Sequence, residues 1–117
     1  EIGTKTLDLI SGLRRDFMPV AEPGGSPLYA NSTIIERDSL DIPESIRLIK
    51  QYIIKGDDIW ETDFTQIDTV FSWAIRGSSQ NGPKWGPDIE VDVVCEFELN
   101  GKTHRILEKS SQIKATY

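Results

Sequence analysis

Few side chains in this sequence could carry out acid–base, nucleophilic or metal chemistry. His104 is the single histidine and Cys95 the single cysteine, so neither a multi-histidine metal site nor an intramolecular disulfide can form. A histidine that acts as a general base needs a carboxylate to orient it, and strand alternation places Glu96 and Glu98 on the face opposite His104. We therefore interpret His104 as a structural residue and Cys95 as a packed core residue whose thiol is unreactive.

Five carboxylates lie close together in the middle of the sequence: Asp57, Asp58, Glu61, Asp63 and Asp68. A calcium loop needs oxygen ligands at a D-x-D-x-D-G spacing, which this cluster lacks. We interpret the cluster as helix caps and solvated charge, with contact to a basic partner through Asp57, Asp58 and Glu61 as the first alternative and binding of a metal ion as the second. No phosphate-binding loop, zinc-protease motif or nucleophile elbow occurs, so the sequence predicts no catalytic residue, no cofactor and no metal ligand.

A tryptophan in a glycine- and proline-rich loop is the strongest candidate for contact with another protein. The loop is predicted over 78–87, and its last six residues are Gly-Pro-Lys-Trp-Gly-Pro. A stiff loop presents Trp85 at low entropic cost, as binding hot spots do, with Lys84 beside it. Tyr29 lies in a second segment that could dock on another domain. The alternatives are that Trp85 folds back over the edge of a sheet and that Tyr29 belongs to a plain loop.

Composition and charge exclude several classes of protein. The chain has 117 residues, 13 Lys+Arg against 19 Asp+Glu, and a net charge of −6, which disfavours nucleic-acid binding because neutralising phosphates needs clustered cations. No apolar run approaches the roughly 20 residues of a membrane helix. The single cysteine favours an intracellular, reducing location, and we interpret the glycosylation sequon at Asn31 as a turn-capping triplet. The length predicts one domain, 1–117, with a flexible loop over 18–31.

Helical spacing of apolar residues recurs in three segments. Residues 4–17 and 63–76 repeat apolar side chains at intervals of three and four, which predicts a helix in each. A strand over 70–76 is the alternative for the second segment, because that stretch is rich in β-branched and aromatic residues. A short strand is predicted over 32–37.

The third segment, 41–55, carries the clearest helical signal. Asp41 and Glu44 can form a capping box, and Gly56 can end the helix in the left-handed conformation. Four isoleucines fall on one face of this predicted helix: Ile42, Ile46, Ile49 and Ile53.

The strongest pattern in the sequence covers residues 88–109 and predicts a β-hairpin. Apolar side chains occupy every odd position from 89 to 99, and acidic side chains occupy nearly every even position, as in a strand with one buried face. Asn100 and Gly101 form the preferred pair for a two-residue type I′ turn. The turn sets the register, which places Phe97 opposite His104 and Glu96 opposite Arg105.

These elements predict an α+β fold in which two to three helices pack on one face of a small antiparallel sheet that ends in the C-terminal β-hairpin. We expect a non-enzymatic protein–protein interaction or assembly module, such as a viral structural or accessory protein, which associates with a protein partner or with itself as a homo-oligomer. The alternative is an acidic inhibitor or immunity protein that binds a basic toxin or nuclease. A small hydrolase without a recognised motif and a small-ligand binder are further alternatives.

Overall fold

Eight β-strands make up the fold. The computed structural model describes residues 7–16, 25, 27–38, 41–42, 46–86 and 88–116, and within these ranges it contains no helix. The strands are β1 (Leu7–Asp16), β2 (Leu28–Glu36), β3 (Arg47–Lys55), β4 (Asp58–Asp63), β5 (Gln66–Phe71), β6 (Ala74–Gly82), β7 (Glu90–Leu99) and β8 (Lys102–Thr116). The predicted α+β fold is therefore wrong: the three segments predicted to be helical contain strands β1, β3, β5 and the start of β6, joined by turns and irregular residues where they are described.

The strands lie side by side in one curled sheet, in the order β4-β3-β7-β8-β1-β2-β6-β5. Neighbouring strands are antiparallel except β8 and β1, which pair in parallel from Leu13 with Ile113 to Asp16 with Thr116. This short parallel junction divides the sheet into two four-stranded parts. We call β4-β3-β7-β8 the first half-sheet and β1-β2-β6-β5 the second half-sheet.

The inward faces of the two half-sheets form one hydrophobic core. The largest fully buried apolar side chains come from both half-sheets and from the junction: Phe97, Leu28, Ile34, Ile53, Ile113 and Val93. In β2 every second side chain is buried and the others are half-buried, which is the period of a strand with one face in the core.

A buried hydrogen-bonded cluster links the half-sheets across this core. The Gln51 amide on β3 donates to Ser79 Oγ on β6 at 2.9 Å and to the Ala30 carbonyl on β2 at 3.2 Å. The same amide accepts a hydrogen bond from Ser32 Oγ on β2 at 2.8 Å. All four residues are fully buried. Because an unpaired polar group costs free energy in the core, these bonds favour one placement of the half-sheets relative to each other.

Residues 64–65 carry the chain from β4 in the first half-sheet to β5 in the second. The Thr65 amide donates to the Ser78 carbonyl at 2.8 Å, and Ser79 Oγ donates to the Asp63 carbonyl at 2.8 Å. Both bonds tie this crossing to β6, so the outer edges of the curled sheet are held together.

Two glycines of β6 make room for aromatic rings beside this crossing. A Cβ atom on Gly77 would lie under 3.0 Å from the Phe64 ring, and one on Gly82 would lie under 3.0 Å from the Trp60 ring. Side chains essentially never approach so closely, so glycine is required at both positions for the rings to pack on the strand backbone.

The predicted C-terminal hairpin is confirmed together with its register. Phe97 pairs with His104 and Glu96 with Arg105, and the two turn residues have φ values of 52° at Asn100 and 79° at Gly101. Arg105 Nε lies 2.8 Å from Glu96 Oε1 in the predicted cross-strand ion pair.

The remaining sequence predictions fall partly outside the described residues. Of the loop predicted over 18–31, residues 18–24 and 26 are outside them, and β2 begins at Leu28. Glu44, one half of the predicted capping box, is also outside. The loop predicted over 78–87 is wrong for 78–82, which belong to β6; residues 83–86 follow this strand, and residue 87 lies outside the described residues. None of the described segments forms a helix that is long and apolar enough to cross a membrane.

Candidate functional site

An apolar strip crosses the outer, solvent-facing side of the first half-sheet. Ile59 on β4 pairs with Ile54 on β3, Tyr52 on β3 pairs with Val94 on β7, and Val94 pairs with Leu107 on β8. Ile59 is 61% exposed and Leu107 is 48% exposed. Single exposed apolar side chains are ordinary, but a strip that continues across four strands is a candidate interaction surface.

A row of alternating charge runs beside the apolar strip, one residue from each strand. The register places Asp63 next to Lys50, Lys50 next to Glu96 and Glu96 next to Arg105. From β4 to β8 the signs are negative, positive, negative and positive. We call these four residues the charged row. The row itself contains two acids and two bases, and Glu61, which pairs with Lys50, adds a further negative charge beside it.

Tyr52 lies at the centre of the face and is held by charged neighbours. Its hydroxyl donates to Glu96 Oε1 at 3.3 Å, and the Arg105 guanidinium lies 5.3 Å from the centre of its ring. The hydrogen bond to Glu96 is the main reason that the pKa of Arg105 is raised above its usual value. Tyrosine and arginine are enriched at binding hot spots, and side chains fixed before binding lose less entropy when a partner arrives.

The loop that carries Trp85 is folded onto the body of the protein. Trp85 is half-buried and packs against the core, with Lys55 Nζ 5.6 Å from its ring centre. The buried Arg15 guanidinium donates to the carbonyls of Lys84, at 3.2 Å, and of Gly86, at 2.9 Å. These bonds fix the loop backbone, while the Lys84 side chain is exposed.

The structure does not bring the other predicted partner-binding residues to one place. Tyr29 is half-buried on β2 of the second half-sheet, where its hydroxyl donates to Ser78 Oγ at 3.0 Å. Asp57 and Asp58 are exposed at the turn between β3 and β4. Glu61 lies on β4 and pairs with Lys50 at 2.8 Å. Whether these residues contact a partner remains a prediction.

His104 on β8 and Cys95 on β7 both lie on the inward face of the C-terminal hairpin. His104 is half-buried and stacks on Phe97 with ring centres 5.5 Å apart. Cys95 is fully buried, and burial raises the pKa of its thiol to about 12. A thiol that stays protonated at neutral pH is not a nucleophile.

Carboxylates are sparse in the cavities that the described residues line. Four of these cavities have described linings, and none of the four linings contains two carboxylates. Across the described ranges no three His, Cys, Asp or Glu side chains could hold a metal ion together. No protein-family model and no curated protein matches the sequence, so function is inferred from the surfaces and cavities of this chain.

Sequence reasoning missed the apolar strip, although one signal pointed to it. In the alternating pattern of β7, Val94 stands at an even position that the other residues of the pattern give to acids. The register that the Asn-Gly turn sets places Leu107 opposite Val94. Two apolar residues paired on the supposedly polar face were therefore visible in the hairpin. Tyr52 and Ile54 were hidden because their segment was predicted to be a helix, and Ile59 because it lies between two predicted helices.

Proposed function

We propose that this chain is a non-enzymatic assembly module that associates with a second copy of itself through the outer face of the first half-sheet. The observation that carries the proposal is the apolar strip with the charged row beside it. Burial of exposed isoleucine and leucine provides the driving force, and the charged row sets the orientation of the two copies.

The charged row is complementary to itself under a two-fold rotation. Consider a two-fold axis that lies between the two facing half-sheets and runs parallel to their strands. This axis places β4 of one copy opposite β8 of the other, and β3 opposite β7. Asp63 of one copy then faces Arg105 of the other, and Lys50 faces Glu96. Each charge meets its opposite, as an isologous interface requires.

Charge balance favours a second copy over a basic partner at this face. Two chains of −6 repel each other, and the charged row adds no net charge to that repulsion. A strongly basic partner would gain little from the charged row, which has equal numbers of acids and bases.

The oligomeric mass of variants tests the proposal. The full chain should sediment near twice the 13.2 kDa of one chain, and Leu107→Lys should sediment as a monomer because it buries a charge in the strip. Ile10→Lys is the matched control, since Ile10 is 53% exposed but belongs to the second half-sheet. A wild-type monomer at every concentration would rule the proposal out, as would equal dissociation of the two variants.

A charge exchange tests the two-fold geometry. Asp63→Lys alone places two cations opposite each other and should weaken self-association about tenfold or more. Adding Arg105→Glu restores opposite charges across the proposed interface and should recover part of the affinity. Lack of any recovery would contradict this orientation of the copies.

The predicted role of Trp85 can be separated from this interface in the same measurement. If self-association uses the first half-sheet face, Trp85→Ala should leave the dimer mass unchanged while lowering stability through lost packing. Dissociation of folded Trp85→Ala would instead place the contact at the tryptophan loop.

A further inference from the structure

A polar cavity of about 510 Å³ opens where β1 and β8 separate. The two strands pair from Leu13 and Ile113 onward, and residues on both sides of this point line the cavity together with Tyr29 and Asn31 of β2. Binding sites for small molecules are commonly of this size, roughly 300–1,000 Å³.

Two cations stand side by side at the cavity wall. Arg14 and Lys114 are register partners on the adjacent strands β1 and β8, both exposed, and both line the cavity. Neither forms an ion pair with a carboxylate of the described residues. Like charges opposite each other destabilise a sheet. A bound anion would reduce the repulsion between Arg14 and Lys114.

The other end of the cavity presents hydrogen-bond acceptors. Ser11 donates to the Glu108 carboxylate through both its amide and its hydroxyl. The Ser111 hydroxyl lies 2.7 Å from the Ser11 hydroxyl, and because the Ser11 proton is directed to Glu108, Ser111 is the donor of that pair. The lone pairs of Ser111 therefore remain to accept hydrogen bonds from a ligand.

Side-chain amides line the space between the cations and the serines. Asn31 from β2 and Gln112 from β8 are both part of the lining, and an amide can donate to or accept from a hydroxyl group. A Cβ atom on Gly12 would lie 3.0 Å from the Asn31 side-chain oxygen. Glycine at this position leaves Asn31 room beside the cavity.

We infer that this cavity binds a small hydroxylated anion, of the class of a sugar phosphate or a sugar acid. Arg14 and Lys114 hold the anionic group, and Asn31, Gln112 and Ser111 bind the hydroxyl groups. Both charge-assisted and neutral hydrogen bonds thus have partners within one cavity. This site is separate from the proposed self-association face, because it lies at the junction of the half-sheets.

Calorimetric titration of the full chain with glucose 6-phosphate, gluconate and glucose tests the inference. At least one of the two anions should bind saturably, and glucose should bind at least about tenfold more weakly, since it lacks the charge-assisted bonds. Binding of only the phosphate or only the carboxylate would identify the anionic group. Failure of both anions to saturate the chain, or equal affinity for glucose, would overturn the inference.

Substitutions place the binding in this cavity. Lys114→Gln and Arg14→Gln should each weaken anion binding about tenfold. Lys109→Gln removes an exposed lysine of the same strand that does not line the cavity, and it should leave affinity unchanged. Equal losses in Lys109→Gln and Lys114→Gln would show only general attraction of anions to lysine and would overturn the assignment. Circular dichroism and sedimentation of each variant check that fold and oligomeric mass are retained.

Discussion

Cys95 is a thiol whose protonation differs between the folded and the unfolded chain. Burial is the main cause that raises its pKa from 9.0 to about 12, the charge of Glu96 acts in the same direction, and a hydrogen bond with Ser32 acts against them. The folded state therefore retains its proton over a wider pH range than the unfolded state. The thiol's contribution to stability is fully present below pH 9.0 and is lost as pH rises towards about 12.

We expect the free energy of unfolding to decrease more steeply above pH 9 in the wild type than in Cys95→Ala. The variant lacks the group that deprotonates on unfolding, so the difference between the two isolates the thiol from lysine and tyrosine titration. Urea denaturation at several pH values between about 8 and 10.5 measures it. Parallel pH profiles for the two proteins would contradict this account.

Polar residues at inward positions of strands explain one failure of the sequence prediction. In β1 the inward positions include Leu9, Ser11, Leu13 and Arg15, so two polar residues interrupt an apolar alternation. Ser11 is bound by Glu108, and Arg15 is bound by loop carbonyls, which satisfies these groups. Their partners are far away in the sequence, so the remaining apolar residues gave a false helical spacing.

At the scale of the element, a β-bulge accounts for the helical pattern of 41–55. The register of β3 with β7 shifts between Leu48 and Lys50. As a result Leu48 and Gln51 both point into the core, three positions apart rather than two. The same shift lets Ile46 and Ile53, seven positions apart, both be buried, and a seven-residue separation on one face is also typical of a helix. Ile42 and Ile49, the other two isoleucines of the predicted helical face, are only half-buried.

The helix prediction for residues 63–76 was also wrong because of irregular strand pairing. This segment contains a hairpin and a register shift. β5 and β6 are joined by residues 72–73, and their pairing shifts between Thr69 and Phe71. The alternative prediction, one strand over 70–76, names the right type of structure, but a turn at 72–73 divides this stretch between β5 and β6. The C-terminal hairpin was predictable because both its pattern and its turn are local.

The close packing of aromatic rings on β6 makes a prediction for Gly77. A methyl group there would meet the Phe64 ring, so Gly77→Ala should lower the free energy of unfolding by about 1–3 kcal/mol. In the background of Phe64→Ala the same substitution should cost much less, because the ring it meets is absent. Urea denaturation of the four proteins measures the coupling.

Gly56→Ala serves as the control for backbone strain alone. Gly56 has φ +58° and no atom within 4 Å of an added Cβ, so its substitution should cost about 1 kcal/mol with or without Phe64. Equal effects of Phe64→Ala on both glycine substitutions would mean that contact with the ring is not the cause.

At the scale of the whole molecule, the candidate sites depend on distant pairings that sequence patterns do not reveal. The apolar strip needs β4, β3, β7 and β8 side by side, and the polar cavity needs β1 beside β8. Trp85 and the acidic residues could be singled out by type and spacing. The apolar strip and the polar cavity each combine residues from several strands, so they follow only from the order of the strands in the sheet.

Self-association should make thermal stability depend on protein concentration. If the native chain pairs and the unfolded chain does not, the Tm should rise by about 2–4 °C for each tenfold increase in concentration. The Tm of Leu107→Lys should be independent of concentration, and that of Ile10→Lys should behave like the wild type. Differential scanning calorimetry over two decades of concentration measures this, and a constant wild-type Tm would speak against pairing.

The parallel junction of β1 and β8 has a consequence for how the chain acquires its shape. Leu13 of β1 pairs with Ile113 of β8, a hundred positions later in the sequence. During synthesis β1 is therefore complete long before β8 has been made. Until then one edge of β1 is available to any extended peptide nearby, and pairings so remote in sequence form slowly. Correct folding therefore requires that the unpaired edge of β1 does not pair with another peptide before β8 has been synthesised.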